Sequence, residues 1–435
     1  MSEVCTEELY ELEITDYDHQ GRGIGRHEGK VCFAYDVLVG EKIAVTKQKL
    51  YKNFNYIEKF NLIRKQSQRV IPKCRSFGRC GGCSLQHMHI KQQEENKIAL
   101  CKEQLEHAGL GCPPITFVSS QAYNYRRKAR FSVRYSKKLA RIWFGFRHIH
   151  LPKVIVDVDE CPILVPQLTS GLKKVKNCIT QLSIPDFIPQ VEVLECQGKC
   201  SAIIRHLKPL TDKDREVITK CAKDLGWYIF LQSSGITSTV LLWGPTSQVQ
   251  FALEQKGYKV QVGVHDFMQI NEPINAKLVD AAVDALRINK NDTIADLFCG
   301  VGNFTLAIAK KAKTVIGIDV SKEMITKAEE NAKSNNIETA SFACADLFSN
   351  VKILTKHKFD KYLIDPPRSG AQEVIMSMPE NEIKKIVYVS CNIQTFLRDA
   401  VLLKGKGYSL QTITLFDMFA QTKHVELLGV FTQSL

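Results

Sequence analysis

From residue 262 onward the chain alternates short apolar runs with amphipathic, helix-like stretches. The runs are TIADLFC, TVIGID, YLIDPP and IVYVSC. Few architectures accept this alternation. A helix between two strands returns the chain to its starting end, so the strands lie parallel with helices packed on both faces. That is a doubly wound α/β sheet. Such sheets bind ligands beyond the C-terminal ends of their strands, so the residues directly after each run are the candidates for chemistry.

Upstream the pattern differs. Residues 1–60 read as short strands punctuated by Gly21, Gly23, Gly25 and Gly29, which suits a small β-barrel. Barrels of this size often bind nucleic acid, although a plain structural barrel has the same pattern. Within 86–110, QQEENKIALCKEQLEHAGL has helical spacing and stops at Gly111-Cys112-Pro113-Pro114. Residues 115–258 read mostly as strand, with a helix near 212–226. The fold expected is therefore multidomain, in three parts: a barrel over 1–62, a mostly β central domain over 63–260, and the doubly wound domain over 261–435.

Charge narrows the partner. Lys and Arg exceed Asp and Glu by 59 − 46 = 13, and the surplus is clustered. Residues 121–150 carry nine basic side chains, no acid, and seven aromatics: Tyr123, Tyr125, Phe131, Tyr135, Trp143, Phe144 and Phe146. Residues 47–75 add nine basic side chains against Glu58 alone. Cations that hold phosphates, interleaved with rings that stack on bases, suit RNA, although Trp143 and Phe144 also suit a core. No apolar run is long enough to span a membrane. The acidic start MSEVCTEELYELEI has no apolar h-region, so a cytoplasmic location is expected. In that reducing compartment the fifteen cysteines point to metal, catalysis or packing rather than disulfides.

Three of them, Cys74, Cys80 and Cys83, fall within ten residues in IPKCRSFGRCGGC, among glycines that let the backbone fold round a centre; Cys161, in DECPIL, is a fourth candidate. The spacing suits a metal centre better than an apolar core. It does not separate zinc from an iron–sulfur cluster.

DLFCGVGNFTL follows the first apolar run of the repeat and opens a helix. Gly300 and Gly302 permit a tight turn close to a ligand. Asp319 ends the next run, 23 residues after Asp296, where an acid can accept from ribose hydroxyls. Asp346 would end the third strand, near an adenine. Lacking the third glycine of a dinucleotide fingerprint, the set fits the adenosylmethionine site of class I methyltransferases better. Cys299, inside the loop, reads as a small packing residue.

Asp365, Pro366, Pro367 and Arg368 follow YLI at a strand end. Cys391 follows IVYVS before a helix, whose N-terminus, with nearby basic groups, is expected to lower its pKa. His424 and Glu426 enter the last strand. A thiol and two carboxylates at one sheet edge beside a methyl-donor loop suit covalent catalysis.

In this order, DFMQIN, DLFCGVGNFTL, DPPRSG, VSCN and HVEL resemble the successive motifs of the S-adenosylmethionine-dependent RNA uracil-5 methyltransferases, over nearly the whole length. The chain looks most like the bacterial branch that carries a TRAM barrel and a [4Fe–4S] cluster and methylates a uracil in 23S ribosomal RNA. That resemblance implies S-adenosyl-L-methionine bound by Gln269, Phe298, Gly300, Asn303, Asp319, Asp346 and Asp365. It implies Cys391 as nucleophile, Glu426 as general base and Asp365 on the target base. It also implies the cluster on Cys74, Cys80, Cys83 and Cys161. Ile393 stands where the family often has proline. The alternatives are a transfer-RNA uracil target, a cytosine-5 methyltransferase (disfavoured because Ser-Cys-Asn replaces Pro-Cys), a non-catalytic ribosome-assembly factor, and a redox iron–sulfur protein. No membrane or obligate protein partner is suggested.

Overall fold

The computed structural model describes residues 4–6, 10–18, 21–247, 249, 251–378 and 383–433. The chain divides into two compact units. One holds residues 1–100, 143–162 and 421–423; the other holds the remainder.

In the first unit, strands at Val4–Thr6, Tyr10–Glu13, Asp16–Tyr17, Gly23–His27, Lys30–Ala34, Lys42–Leu50 and Phe54–Arg64 form one sheet, so the short strands expected from the glycine-punctuated pattern are present. Residues 1–3, 7–9 and 19–20 of the expected barrel lie outside the described residues. Alternate side chains face inward and build a core of Leu12, Ile14, Cys32, Ala34, Val37, Ile43, Val45 and Ile57. Gly25 is required for this packing, because a Cβ there would stand 2.5 Å from the Glu13 carbonyl oxygen. Buried Glu41 accepts from Arg69 Nε at 2.6 Å and Nη2 at 2.7 Å, and from the Leu38 N–H at 2.8 Å. Burial opposes its charge, but these donors outweigh it and hold the carboxyl below its usual value. Removing one partner of such a buried pair typically costs about 3–5 kcal/mol, so the pair fixes the chain leaving this sheet firmly.

The remainder of this unit is the cysteine loop and the segment drawn to it. The Gly81 N–H donates to the Arg147 carbonyl at 2.9 Å and the Ile149 N–H to the Arg79 carbonyl at 2.8 Å, so the loop docks on residues 147–149. Residues 143–162 therefore belong with residues 1–100 in space, although sequence order separates them.

The second unit contains two larger sheets. Strands Lys128–Ser136, Gln190–Cys196, Lys199–Arg205, Tyr228–Gln232 and Thr239–Trp243 are neighbours in that order. The helix at Asp212–Leu225 makes the one parallel crossover among them, between Lys199–Arg205 and Tyr228–Gln232. Helices at Pro166–Thr169 and Leu172–Thr180 interrupt a stretch read from sequence as strand. Leu172, Val175, Cys178 and Ile179 bury one face of the second, a spacing of three and four that short apolar runs had obscured.

The other sheet has eight strands, numbered in chain order: β1 (Ile115–Val118), β2 (Thr293–Leu297), β3 (Thr314–Asp319), β4 (Ala340–Cys344), β5 (Lys361–Ile364), β6 (Lys385–Ser390), β7 (Tyr408–Phe416) and β8 (Glu426–Gln433). They lie in the order β4-β3-β2-β5-β6-β8-β7-β1. β2 to β6 are parallel, as expected, and β8 is antiparallel to β6. The chain runs outward from β2 to β4, then returns to place β5 on the other side of β2. The strand order reverses between β2 and β5, which is where doubly wound sheets open a crevice for ligands. Leu363, Val387, Val389, Phe416 and Leu428 of the sheet pack with Leu278, Ala282 and Leu286 of the helix Glu272–Leu286.

Candidate active site

Every sequence-expected residue of the doubly wound part stands at or close to one edge of this sheet. On the β4–β3–β2 side, Asp319 ends β3 and its carboxylate accepts from the Gly300 N–H at 3.0 Å and the Ser321 N–H at 2.9 Å. The loop after β2 is bound to β3 by the Phe298 and Cys299 N–H groups, both donating to the Ile318 carbonyl. Phe298 is left-handed at φ 66° and Gly302 at φ 90°, so the loop turns sharply away from the strand. Asn303 pairs its amide with that of Asn275, at 3.1 and 3.3 Å. Asp346 lies two residues past β4 rather than ending it, and accepts from the Phe348 N–H and Ser349 hydroxyl. Two exposed apolar side chains that sequence reasoning missed, Val320 and Phe348, stand at these strand tips. The Phe298 and Phe348 rings are 5.6 Å apart. An exposed apolar residue one or two places after an aspartate at or just past a strand end was the available signal.

Gln269 is half-buried in the segment before the helix Glu272–Leu286. That segment is anchored to the same side of the sheet, because Asp266 accepts from Lys327 at 2.5 Å, on the helix that follows β3. Cys299 is buried beneath the loop, and its thiol is pushed well above the usual value by burial and by Asp296 and Asp319. Cys299 therefore packs, as its small size suggested.

On the β5–β6–β8 side, Asp365 follows β5 and Cys391 follows β6, while Glu426 opens β8. The antiparallel register ends with Ser390 paired to Leu427; Cys391 and Glu426 are the chain neighbours of that pair, and the Glu426 charge acts on the Cys391 thiol. Glu426 is 2% exposed. Burial, and then the Asp365 charge, raise its carboxyl well above the usual value, against a smaller opposing effect of Arg368. Burial raises Asp365 to about 7. These two carboxyls therefore carry protons at neutral pH far more readily than ordinary ones.

The Cys391 thiol is raised too, contrary to the sequence expectation. The helix Ile393–Gly405 does begin beside it, and Arg368 does hydrogen-bond to it. Burial and the charges of Glu426 and Asp365 outweigh both. Arg368 is the residue whose role the sequence hid. It touches the thiol and faces Glu426, and Asn392 Nδ2 donates to its carbonyl at 3.1 Å, tying the two strand-end loops together. A basic residue after two prolines at a strand end was the visible signal. Ile393 occupies the first turn of its helix, where proline would fit equally well.

The cysteine loop forms a separate centre within the first unit. None of Cys74, Cys80, Cys83 and Cys161 is in a disulfide. Cys83 is raised to about 12 by burial and by the other three, which places all four sulfurs within electrostatic reach. The Gly82 N–H lies 3.4 Å from Cys80 Sγ, and Gln86, 1% exposed, bonds to Cys83. Among the described residues no three His, Cys, Asp or Glu side chains close round a point as ligands of a single ion do. Three half-buried thiols and one buried thiol within electrostatic reach of one another, with an N–H donor to one sulfur, are the donor chemistry a soft metal takes.

The expected basic face is partly internal. Arg127 pairs with Glu195 and Glu272, Lys128 and Arg130 with Glu192, and Lys137 with Asp186. Tyr125, Phe131 and Phe144 are core residues. Among the described residues no helix is long and apolar enough to cross a membrane.

Fold and edge together define a doubly wound enzyme domain with a thiol and two carboxyls beside a glycine loop. A family model described as tRNA (Uracil-5-)-methyltransferase matches residues 89–434, and the chain belongs to that family. The 23S rRNA (uracil(1939)-C(5))-methyltransferase RlmD of Francisella tularensis subsp. novicida is 37% identical over 439 residues, covering 98% of this chain and 97% of that protein. The protein of the same description from Legionella pneumophila (strain Lens) is 35% identical over 425 residues, covering 96% of each. Among solved structures, the Pyrococcus abyssi tRNA (uracil-54, C5)-methyltransferase in complex with S-adenosyl-L-homocysteine superposes with a TM-score of 0.76 at 22% identity, over 97% of this chain and 100% of that one. This likeness is one of fold.

Proposed function

We propose that the chain methylates C5 of a uracil in 23S ribosomal RNA, with Cys391 as nucleophile and Glu426 as base. The observation that supports this reading is that Cys391 directly follows β6, Glu426 opens the adjoining β8 and Asp365 directly follows β5, with the charges of both carboxyls acting on the thiol. The RNA class follows from the full-length relatives described as 23S rRNA enzymes. In this reading the three parts keep their roles: 1–62 an RNA-binding TRAM-like barrel, 63–260 the cluster-bearing central part, 261–435 the catalytic part.

S-adenosyl-L-methionine would supply the methyl group. Asp319 would accept from its ribose hydroxyls, and the loop of Phe298, Gly300 and Asn303 would lie along it. Val320 and Phe348 would bracket the adenine near Asp346, with Gln269 on the opposite side. Asp365 would hydrogen-bond the target base and Arg368 would hold the Cys391 sulfur as its proton leaves. A uracil in a helix buries C5 and C6 in the stack, so the base must be flipped or already unpaired.

Mass-spectrometric mapping of 5-methyluridine in ribosomal and transfer RNA, from cells with and without the protein, tests the reading. Loss of one residue from 23S rRNA is expected. Loss from transfer RNA alone would favour the transfer-RNA alternative and overturn the ribosomal one.

The same reading assigns a [4Fe–4S] cluster to Cys74, Cys80, Cys83 and Cys161. It would tie the loop at 74–83 to residue 161 and present Arg75 and Arg79, and methyl transfer itself requires no electron from it. Protein purified without oxygen is expected to be brown, with about four iron and four sulfide per chain, as the cluster formula requires. Colourless protein holding stoichiometric zinc would contradict the assignment.

A further inference from the structure

The second unit holds a cavity of about 420 Å³ that the catalytic reading leaves unused. It opens where the strand Lys199–Arg205 ends, beside the start of the helix Asp212–Leu225 and the turn joining Tyr228–Gln232 to Thr239–Trp243. Its size lies within the range of small-ligand sites. Its lining is sorted by chemistry. Lys208 and Arg215 are exposed cations, and no Asp or Glu is among the lining residues. Leu207 and Val240 form apolar walls, exposed by 55% and 57%.

Lys208 is held in position: its Nζ stands 3.7 Å from the centre of the Phe187 ring. The neighbouring acid, Asp186, is already paired with Lys137 at 2.9 Å. His206 is 8% exposed, and its Nδ1 lies 2.8 Å from the Lys208 carbonyl oxygen. A carbonyl only accepts, so Nδ1 carries a proton in this contact.

We propose that this cavity binds one nucleotide of the RNA strand outside the methylated uracil, with its phosphate on Lys208 and Arg215 and its base against Leu207 and Val240. The inference rests on the reading that RNA is the substrate. Two cations converge on one mouth, as a phosphate requires, and apolar walls offer a flat base a face irrespective of its sequence. The His206 imidazole in the lining can hydrogen-bond a ribose 2′-hydroxyl, the group that distinguishes RNA from DNA. A peptide or an uncharged metabolite would leave both cations without a counter-charge.

The test compares the full-length protein with the Lys208→Ala/Arg215→Ala double variant on a 23S rRNA transcript. Both residues are exposed, so the fold should survive. The Kd for the transcript is expected to rise about tenfold, and the slope of log Kd against log salt to flatten by about 0.7, the value for one lost phosphate contact on a single strand. The kcat at saturating RNA, and binding of S-adenosylhomocysteine, should not change. An unchanged Kd would overturn the proposal. So would an equal loss from the charge-matched control Lys290→Ala/Lys333→Ala, which would mark a general field effect. Failure of the underlying reading looks different: the unaltered protein would then transfer no methyl group to the transcript, whatever its affinity.

Discussion

Cys391→Ser is expected to reduce methyl transfer by about a thousandfold or more while leaving RNA affinity and fold unchanged. The reasoning starts from the acceptor. Uracil C5 is too weak a nucleophile to take a methyl group unaided. When a sulfur bonds to C6, the ring electrons move onto C5 and O4, and C5 becomes an enolate carbon able to accept the alkyl group. Serine preserves the shape of the site, but its hydroxyl is a far poorer nucleophile at neutral pH than a thiol with even a small thiolate fraction. Because burial and two carboxyls hold the Cys391 thiol above its usual value, that fraction is small and grows with pH. The pH profile of kcat/KM should therefore climb through the neutral range in the unaltered enzyme. Single-turnover transfer of a labelled methyl group, with filter binding of RNA in parallel, reads both quantities. Serine enzyme of unchanged rate would remove the covalent route. A profile that is flat from pH 6 to 9 would separately remove the thiolate from the rate-limiting chemistry.

The parts of this site that could be read from sequence are those fixed by local pattern. Asp319, Asp365 and Cys391 each follow an apolar run, and a strand ends where its apolar run ends, so their places at one sheet edge follow from periodicity and the winding rule. What periodicity does not carry is competition between distant charges. The thiol of Cys391 has a helix start and an arginine beside it, which taken alone lower a pKa. The opposing burial and the carboxyls come from β5 and β8, remote in sequence and adjacent only through the sheet order. The same reason hid the role of Arg368, and it hid the pairing of Arg127, Lys128 and Arg130 with Glu192, Glu195 and Glu272. A basic run in sequence looks like an RNA-binding face until its counter-charges arrive from other strands. The four cysteines lie at the other extreme. Their spacing brought three of them together, and residue 161 joins because the 143–162 segment docks with the first hundred residues.

Glu426→Gln should convert the enzyme from a catalyst into a trap. After the methyl group has moved, C5 carries both the methyl and its original hydrogen, and C6 is still bonded to Cys391. Release requires a base to take that hydrogen, so that the electrons of the C5–H bond reform the ring double bond and the sulfur departs. Glutamine fits the space of Glu426 and keeps a hydrogen-bonding oxygen, but it has no basic lone pair capable of taking a carbon-bound proton. The raised pKa of Glu426 suits this role. A carboxyl that favours its proton in the buried site is, once ionised, a stronger base than an exposed one, and Asp365 beside it strengthens that preference. The first half of the reaction should therefore proceed and the second should stall. The expected result is a protein–RNA adduct carrying labelled methyl, stable to denaturant on a gel, formed at close to one per active site, with turnover lower by about two to four orders of magnitude. The double variant Cys391→Ser/Glu426→Gln should form no adduct, which ties the band to that sulfur. If Glu426→Gln turns over normally, or stalls without any covalent band, the base lies elsewhere. Asp365, at the end of the adjacent β5, would then be the next residue to test by the same assay.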